Sequence, residues 1–363
     1  MFTQRVFAFG IALVGVTCVA LGVSRRSSAA GTALLRWPRP AAALQPPAAP
    51  LRFVDDVDVT RFLRGNVHTH TRNSDGDSTP DVVYAWYRDH GYQWLAITDH
   101  NTRTNPATYK SLARAGKFVM IPAEEVTMHG AGKQVHVNAL CTKKTVGGHR
   151  DATQAGALAW AVAAIHAQGA VALVNHPNWD WALRPGDLEG ARGAEMLEVA
   201  SGHPYVHEEG DAEHPSHEAM WTAALDAGLG LGGAAVDDAH DFAESAKKKP
   251  ARPGRGWIQA FADAATPLDA ATVCGALAKH RYYFSSGPAL TRVTVHGSAM
   301  TVWPVDPGAT VEFVGEGGAV LKAVGAAGDG ARYDLRGDER YVRARVTDPG
   351  GKKAWTNAYA TTR

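Results

Sequence analysis

Residues 64–101, RGNVHTHTRNSDGDSTPDVVYAWYRDHGYQWLAITDHN, decide the fold. They read as a strand ending in His68-Thr69-His70, an acidic turn, an amphipathic helix and a second strand ending in Thr98-Asp99-His100. Side chains two apart on an extended chain point to the same side, so His68 and His70 can grip one ion. Asp75 follows in the turn Ser74-Asp75-Gly76-Asp77. Thr79 has N-cap chemistry, and Pro80 suits the first helical position. After Gly91 the apolar run Trp94-Leu95-Ala96-Ile97 predicts a buried strand that delivers Asp99 and His100 at its C-terminal end. Two neighbouring parallel strands of this kind present imidazoles and carboxylates at one end of a sheet, which is the donor chemistry of a metal site.

Beyond this stretch, strand-like apolar runs alternate with helical patterns. Strands are predicted at 64–69, 93–98, 117–122, 134–140, 170–175, 194–199 and 229–236, and helices near 80–90, 105–115, 152–168, 216–228 and 268–280. Such alternation predicts an α/β parallel sheet or barrel with crossover helices. Functional groups in barrels of this type sit at the C-terminal ends of the strands. Those ends carry His68 and His70, Asp99 and His100, Glu124 and Glu125, His136, Asn175 and His176, Glu198, and Asp237, Asp238 and His240. Nearly every predicted strand therefore ends in a residue able to bind metal. From about residue 290 the pattern changes to short alternating segments at 291–296, 310–314, 319–324, 341–347 and 353–360, separated by Gly, Asp and Pro. They predict a small antiparallel β-sandwich, read as a packing or binding appendage.

The chain has 363 residues, with 37 basic and 36 acidic side chains and a formal net charge of +1. That balance gives no polyanion-binding surface, so the expected partner is a small-molecule substrate and not nucleic acid. Residues 1–30 combine Arg5, an apolar run at 6–23, Arg25-Arg26 and Ser28-Ala29-Ala30. They read as a secretory signal cleaved after Ala30, or as an uncleaved single-span anchor, since about 18 apolar residues nearly cross a bilayer. Either way the mature chain is expected outside the cytoplasm, periplasmic or extracellular, with membrane contact only through an uncleaved N-terminal segment. The Ala- and Pro-rich residues 31–51 read as a linker. The remaining boundaries fall at 52–289 and 290–363. Cys18 lies in the leader, and Cys141 and Cys274 read as small buried residues, with a disulfide between them as the alternative.

Four motifs in order carry a resemblance: His68-Thr69-His70 with Ser74-Asp75-Gly76, then Thr98-Asp99-His100, Asn175-His176-Pro177 and Asp238-Ala239-His240. With them, residues 64–288 resemble the PHP (polymerase and histidinol phosphatase) family of metallohydrolases. The blocks IPAEEVT at 121–127, HVNAL at 136–140 and YYFSSGP at 282–288 are similar to its carbaryl-hydrolase-like branch. The resemblance implies a distorted seven-stranded (β/α)7 barrel followed by the β-sandwich. It implies that His68, His70 and Asp238 bind one metal, and that Glu125 bridges this metal to a second one held by His136 and His176. Asp75, His100 and His240 would hold a third; some relatives have histidine where Asp75 stands. The implied cofactors are thus two or three divalent ions (Zn, Mn or Fe), with Asp238, Glu125 and His240 closest to the chemistry.

The implied reaction is hydrolysis by a metal-bridged hydroxide. Phosphoester cleavage is the commoner activity of the family, and the branch keeps carbamate, ester or amide hydrolysis open. A metal-containing binding module without turnover is the reading from another class. Glu124 reads as a support behind the ligands or as structural, while Asp99 and Asp237 could orient imidazoles. The His-rich segment 201–217 reads equally as a substrate-shaping lid or a solvated loop. Trp179-Asp180-Trp181 is placed at the mouth. Arg72, Arg103, Lys133 and Arg184 are candidate anion contacts, and Lys247-Lys248-Lys249 reads as a solvated loop.

Overall fold

The structure is a computed structural model and describes residues 50–109, 111–112, 117–243, 247–326 and 328–363. The leader reading and nearly all of the linker reading lie outside the described residues. Of the helix expected near 105–115, residues 110 and 113–115 also lie outside the described residues, and the rest forms a 3-10 turn at Pro106–Tyr109 and a turn at 111–112 in place of an α-helix.

Four α-helices are described: α1 (Pro80–Asp89), α2 (Gln154–His166), α3 (His217–Asp226) and α4 (Ala270–Ala278). Each starts where the sequence supplies an N-cap. Thr153, Ser216 and Asp269 accept the amides of Gly156, Ala219 and Thr272. Thr79 holds the cap position of α1 without a side-chain bond, and Pro80 opens that helix. Val83, Tyr84 and Tyr87 form its buried stripe and pack with Tyr92, Leu95, Ile97 and Phe118.

The strands divide into sheets that bring the histidines together. In one, Gly232–Val236, Met196–Ser201 and Val171–Val174 run parallel. The hairpin Ala123–Gly130/Lys133–Leu140 then continues the sheet antiparallel. In the other, Arg61–Asn66, Trp94–Ala96 and Val119–Ile121 run parallel. Two isolated bridges, Thr69 to Ala239 and His100 to Glu125, join the two sheets at the ends that carry the site. One apolar core, including Val67, Trp94, Val137, Leu173, Leu197 and Val236, is shared between them. Gly65 makes room for it, since a Cβ there would lie 2.0 Å from the Trp94 ring.

This is a mixed α/β architecture. It is rich in sheet, and the distorted seven-stranded (β/α)7 barrel that the resemblance implied is not clearly formed. Ala131 and Gly132, both at positive φ, turn the 123–140 segment directly back on itself, leaving no place for a crossover helix. A strand not expected from the sequence, Trp257–Ala262, pairs antiparallel with Arg61–Asn66 and with Tyr282–Ser285.

The C-terminal segments are antiparallel strands around a second core that includes Val293, Val302, Phe313, Tyr333 and Val346. Ala299–Pro304 and Ala331–Asp334 were not expected as strands. Lys353–Thr356 pairs with Tyr282–Ser285, so one sheet runs from the site-bearing strands into this region. Residues Val57–Val59 join it from the other direction, against Leu290–His296. Among the described residues no helix is long and apolar enough to cross a membrane.

Cys141 and Cys274 form a disulfide, which corrects the reading of both as free buried residues. Their Cα atoms are 6.1 Å apart across 133 residues of sequence, and the bond ties the end of the Lys133–Leu140 strand to α4. Closing so long a loop constrains the unfolded chain, typically contributing about 2–4 kcal/mol. Reduction, or the Cys141→Ser/Cys274→Ser pair, is expected to lower the calorimetric unfolding temperature, and an unchanged transition would show that the bond contributes nothing.

Candidate metal centre

The site is built from short extended segments just past strand ends. His68 and His70 follow Arg61–Asn66, His100 follows Trp94–Ala96, His176 follows Val171–Val174, and Asp238 and His240 follow Gly232–Val236. Glu125 and His136 face inward from the two strands of the 123–140 hairpin. Asp238 adopts φ 47°, a left-handed conformation that costs an L-residue on the order of 1 kcal/mol. Its amide donates to the His68 carbonyl, and its own carbonyl lies 3.0 Å from His240 Nδ1. The strained turn thus carries both its residues into the site.

Glu125 is the hub. Its Oε2 lies 3.4, 3.2 and 3.2 Å from ring nitrogens of His68, His70 and His100. Its Oε1 lies 2.9 Å from His136 Nδ1 and 3.3 Å from His176 Nε2. Asp238 Oδ1 is 3.3 Å from both His68 Nε2 and His70 Nε2. Asp75, half exposed, closes the outer side within 3.4–3.6 Å of His70, His100 and His240. Four groups of donor atoms are close enough to hold an ion: His70-Asp75-His100-His240, His68-His70-Asp238, His68-Glu125-His176 and His100-Glu125-His136. Together they contain all nine residues assigned as ligands from the sequence. They are not partitioned as the resemblance implied, since His68 groups with His176 and His100 groups with His136.

These residues fit metal ions on the structure's own terms. Glu125 Oε2 and both ring nitrogens of His136 are buried and make no hydrogen bond. Buried polar atoms are ordinarily satisfied, so unpaired donor atoms gathered in one cluster fit a shared cation. Electrostatics agree. Burial pushes the His70 imidazole down, but Asp238 and Glu125 overcome it and lift the ring to about 10. Burial likewise opposes ionisation of Glu125, yet the surrounding imidazoles hold it well below the ordinary carboxylate range. His136 lacks enough of that compensation, and burial lowers it. The cluster thus demands positive charge that imidazole protons would supply only in part.

Two buried residues outside the assigned ligand set hold it in place. Glu198 Oε1 lies 2.5 Å from His68 Nδ1, while its Oε2 accepts the His176 amide at 2.8 Å. This contact turns His68 Nε2 toward the cluster. Asn175 donates to Glu125 Oε1 at 2.7 Å and to Asn138 Oδ1 at 2.9 Å. Sequence reading marked Glu198 as a strand end and Asn175 as part of a motif, and neither position alone revealed the contact. Glu198→Ala is expected to weaken metal affinity by about 10–100-fold, read by competition with a chelating dye. Wild-type affinity in that variant would remove Glu198 from this role.

Other expectations change. Asp99 accepts from the Thr71 amide and from the hydroxyls of Thr71, Ser74 and Thr104, so it orders the 71–74 turn and orients no imidazole. Asp237 accepts Tyr87 Oη and the amides of Gly254, Arg255 and Gly256, again fixing a loop. Glu124 accepts the Val146 amide. The centre opens into a cavity of about 270 Å³ lined also by Trp179, His203, Tyr205, Lys247 and Lys249. The two lysines read as a solvated loop therefore stand at the mouth, with Lys247 paired to Asp241 at 2.8 Å. Arg72, Arg103, Lys133 and Arg184 line none of it. Arg72, Arg103 and Lys133 bond to backbone carbonyls at Asp77, at Thr142, and at Asp180 and Trp181. In the 201–217 segment His203 faces His240, burial lowering it to about 4, whereas His207 and His214 stack on Trp181.

No family model matches the chain, and no curated protein matches it. Among solved structures, the chain is similar to a two-domain protein from Bacteroides vulgatus containing a predicted PHP-like metal-dependent phosphoesterase. That match has 16% identity and TM-score 0.44, covering 84% of this chain and 96% of that one. It is also similar to an amidohydrolase from Chromobacterium violaceum with bound sulfate and no metal. There the identity is 17% and the TM-score 0.35, covering 52% of this chain and 93% of that one.

Proposed function

We propose that the chain is an exported metal-dependent hydrolase that cleaves phosphoesters at the Glu125 cluster. The observation that carries the reading is the hub itself: one buried carboxylate within 3.4 Å of ring nitrogens from five histidines, with Glu125 Oε2 and the His136 nitrogens left without hydrogen bonds. His68, His70 and Asp238 would hold one ion, and His70, Asp75, His100 and His240 another, while Glu125 would share an ion with His68 and His176 or with His100 and His136. Divalent ions in such a cluster lower the pKa of a coordinated water and polarise the bond under attack. The protein's own groups do the rest. Glu198 and Asn175 orient His68 and Glu125, Asp238 and His240 bring polar atoms to the cavity from one strained turn, and Trp179 and Tyr205 wall it. Lys249 places positive charge at the mouth, where Lys247 is paired with Asp241, and that charge favours an anionic phosphoester over a neutral carbamate.

Export is supported by the Cys141–Cys274 disulfide, a bond at home in oxidising compartments. The PHP-type reading is supported by the order of the motifs and by their convergence at one end of the sheets.

The test strips the purified chain with dipicolinate, restores Mn²⁺ or Zn²⁺, and assays bis-p-nitrophenyl phosphate, p-nitrophenyl phosphate and 1-naphthyl N-methylcarbamate. Phosphoester turnover that disappears on stripping and returns with metal is expected. Carbamate turnover alone overturns the phosphoesterase assignment. Two or three bound metals with no turnover of any substrate overturn the hydrolase.

A further inference from the structure

Beside the metal cavity lies a larger cleft of about 790 Å³. One wall comes from the segment 199–210 with Ser216 and Glu218, and the other from Ser286 and the 350–355 hairpin of the C-terminal β region. His203 borders both cavities, so the two spaces are neighbours at this residue. That ring packs edge-on against Trp179 at 5.6 Å and His240 at 5.3 Å.

The charges in the cleft are unevenly matched. Arg345 is consumed by Glu218 and Glu312, at 2.9 Å each, and Glu218 is also bound by Arg343. Glu208 turns into its own wall, where it accepts the Ser201 amide at 2.7 Å. Arg255 and Lys352 are exposed, and Lys353 is half-buried. Among the described residues the side chains of these three form no hydrogen bond or ion pair, although Glu208 lies within electrostatic reach of Lys352 and Lys353, and Glu209 is the other acid in the lining. The scaffold under the cations is firm, since Lys353 opens the strand that pairs with Tyr282–Ser285 and Asp348 closes the hairpin through the Lys352 carbonyl.

We propose that this cleft is a second compartment of the same active site, and that it takes an anionic group at the far end of an extended phosphodiester. The proposal rests on the phosphoesterase reading above and deepens it. The metal cavity, about 270 Å³, is the smaller of the two spaces. A substrate arm leaving it past His203 enters the cleft, where Arg255, Lys352 and Lys353 meet a terminal carboxylate, sulfate or phosphate. The C-terminal β region thereby helps select the substrate.

The experiment uses the full metal-loaded chain and two p-nitrophenyl phosphodiesters with the same alkyl second arm. One arm ends in a carboxylate and the other in its methyl ester. The carboxylate arm is expected to raise kcat/KM about tenfold, through KM, the sum of a few exposed charge contacts. In Arg255→Glu/Lys352→Glu that preference is expected to fall to twofold or less, and Lys352→Ala should lie between. Unfolding temperature and metal content identify a variant that has failed to fold, in which case Lys352→Ala carries the comparison. No preference in the wild type, or a preference that survives both variants, overturns the proposal. If neither diester is turned over, the phosphoesterase reading fails separately. The cleft is then judged by calorimetric binding of the matching methylenephosphonates, where equal affinity for the two arms is the overturning result.

Discussion

Glu125→Ala is expected to abolish phosphoester turnover, lowering kcat by at least about a thousandfold, equivalent to roughly 4 kcal/mol of lost transition-state stabilisation. Glu125 belongs to two of the four donor groups and touches a histidine of every one. Both its oxygens are engaged, each by more than one imidazole. Without it the histidines lose the anion that lets positive charge gather in a buried space, so metal content should fall together with rate. Glu125→Gln separates charge from shape, because the amide fills the same volume but bridges cations poorly. Metal per chain by mass spectrometry and kcat on bis-p-nitrophenyl phosphate make the comparison. Full metal content with more than a tenth of wild-type kcat in the glutamine variant would falsify the bridging role.

The residues that converge on this cluster were legible because strand ends announce themselves. An apolar run followed by His or Asp needs only local pattern, and residues 64–101 contain two such runs. The 123–140 hairpin was read only in half for the opposite reason. Ala123–Gly130 is buried on both faces along most of its length, so it lacks the alternation that marks a strand with one wet face. Trp257–Ala262 follows the Gly- and Pro-rich segment 250–256 and was passed over, yet its pairing breaks the expected parallel order. Contacts between distant positions leave no local trace. Glu198 meets His68 across 130 residues, and Cys141 meets Cys274 across 133. The four basic residues assigned to anion binding were placed by nearness in sequence to ligands. Their side chains turned to carbonyls or away from the cavity, while a lysine run dismissed as solvated reached it.

Glu218→Ala is expected to destabilise the fold by about 3–5 kcal/mol, the cost of leaving a buried charge without its partner. The charge is Arg343, whose side chain is 1% exposed and whose Nη1 lies 2.8 Å from Glu218 Oε1. Its remaining support is thin: Thr222 Oγ1 at 3.2 Å and the face of Trp221 at 4.6 Å, with Nε unpartnered. Glu218 stands on α3 and Arg343 on the strand Tyr341–Thr347, so this pair fastens the site-bearing part of the molecule to the C-terminal β region. Burial raises the Glu218 carboxyl, but Arg343 and Arg345 outweigh it and hold the group below its ordinary value of 4.5. A depressed carboxyl contributes stability that is fully present above the unfolded pKa and is lost as pH falls through the folded one. The gap between wild type and variant, measured as denaturation midpoints, should therefore be wide at neutral pH and narrow in acid. Adding Arg343→Met should recover most of the loss, because a well-packed apolar chain replaces a buried ion pair at little cost. If the single variant matches wild type at neutral pH, the two regions are held by their shared sheet and apolar contacts, and the ion pair only decorates the junction.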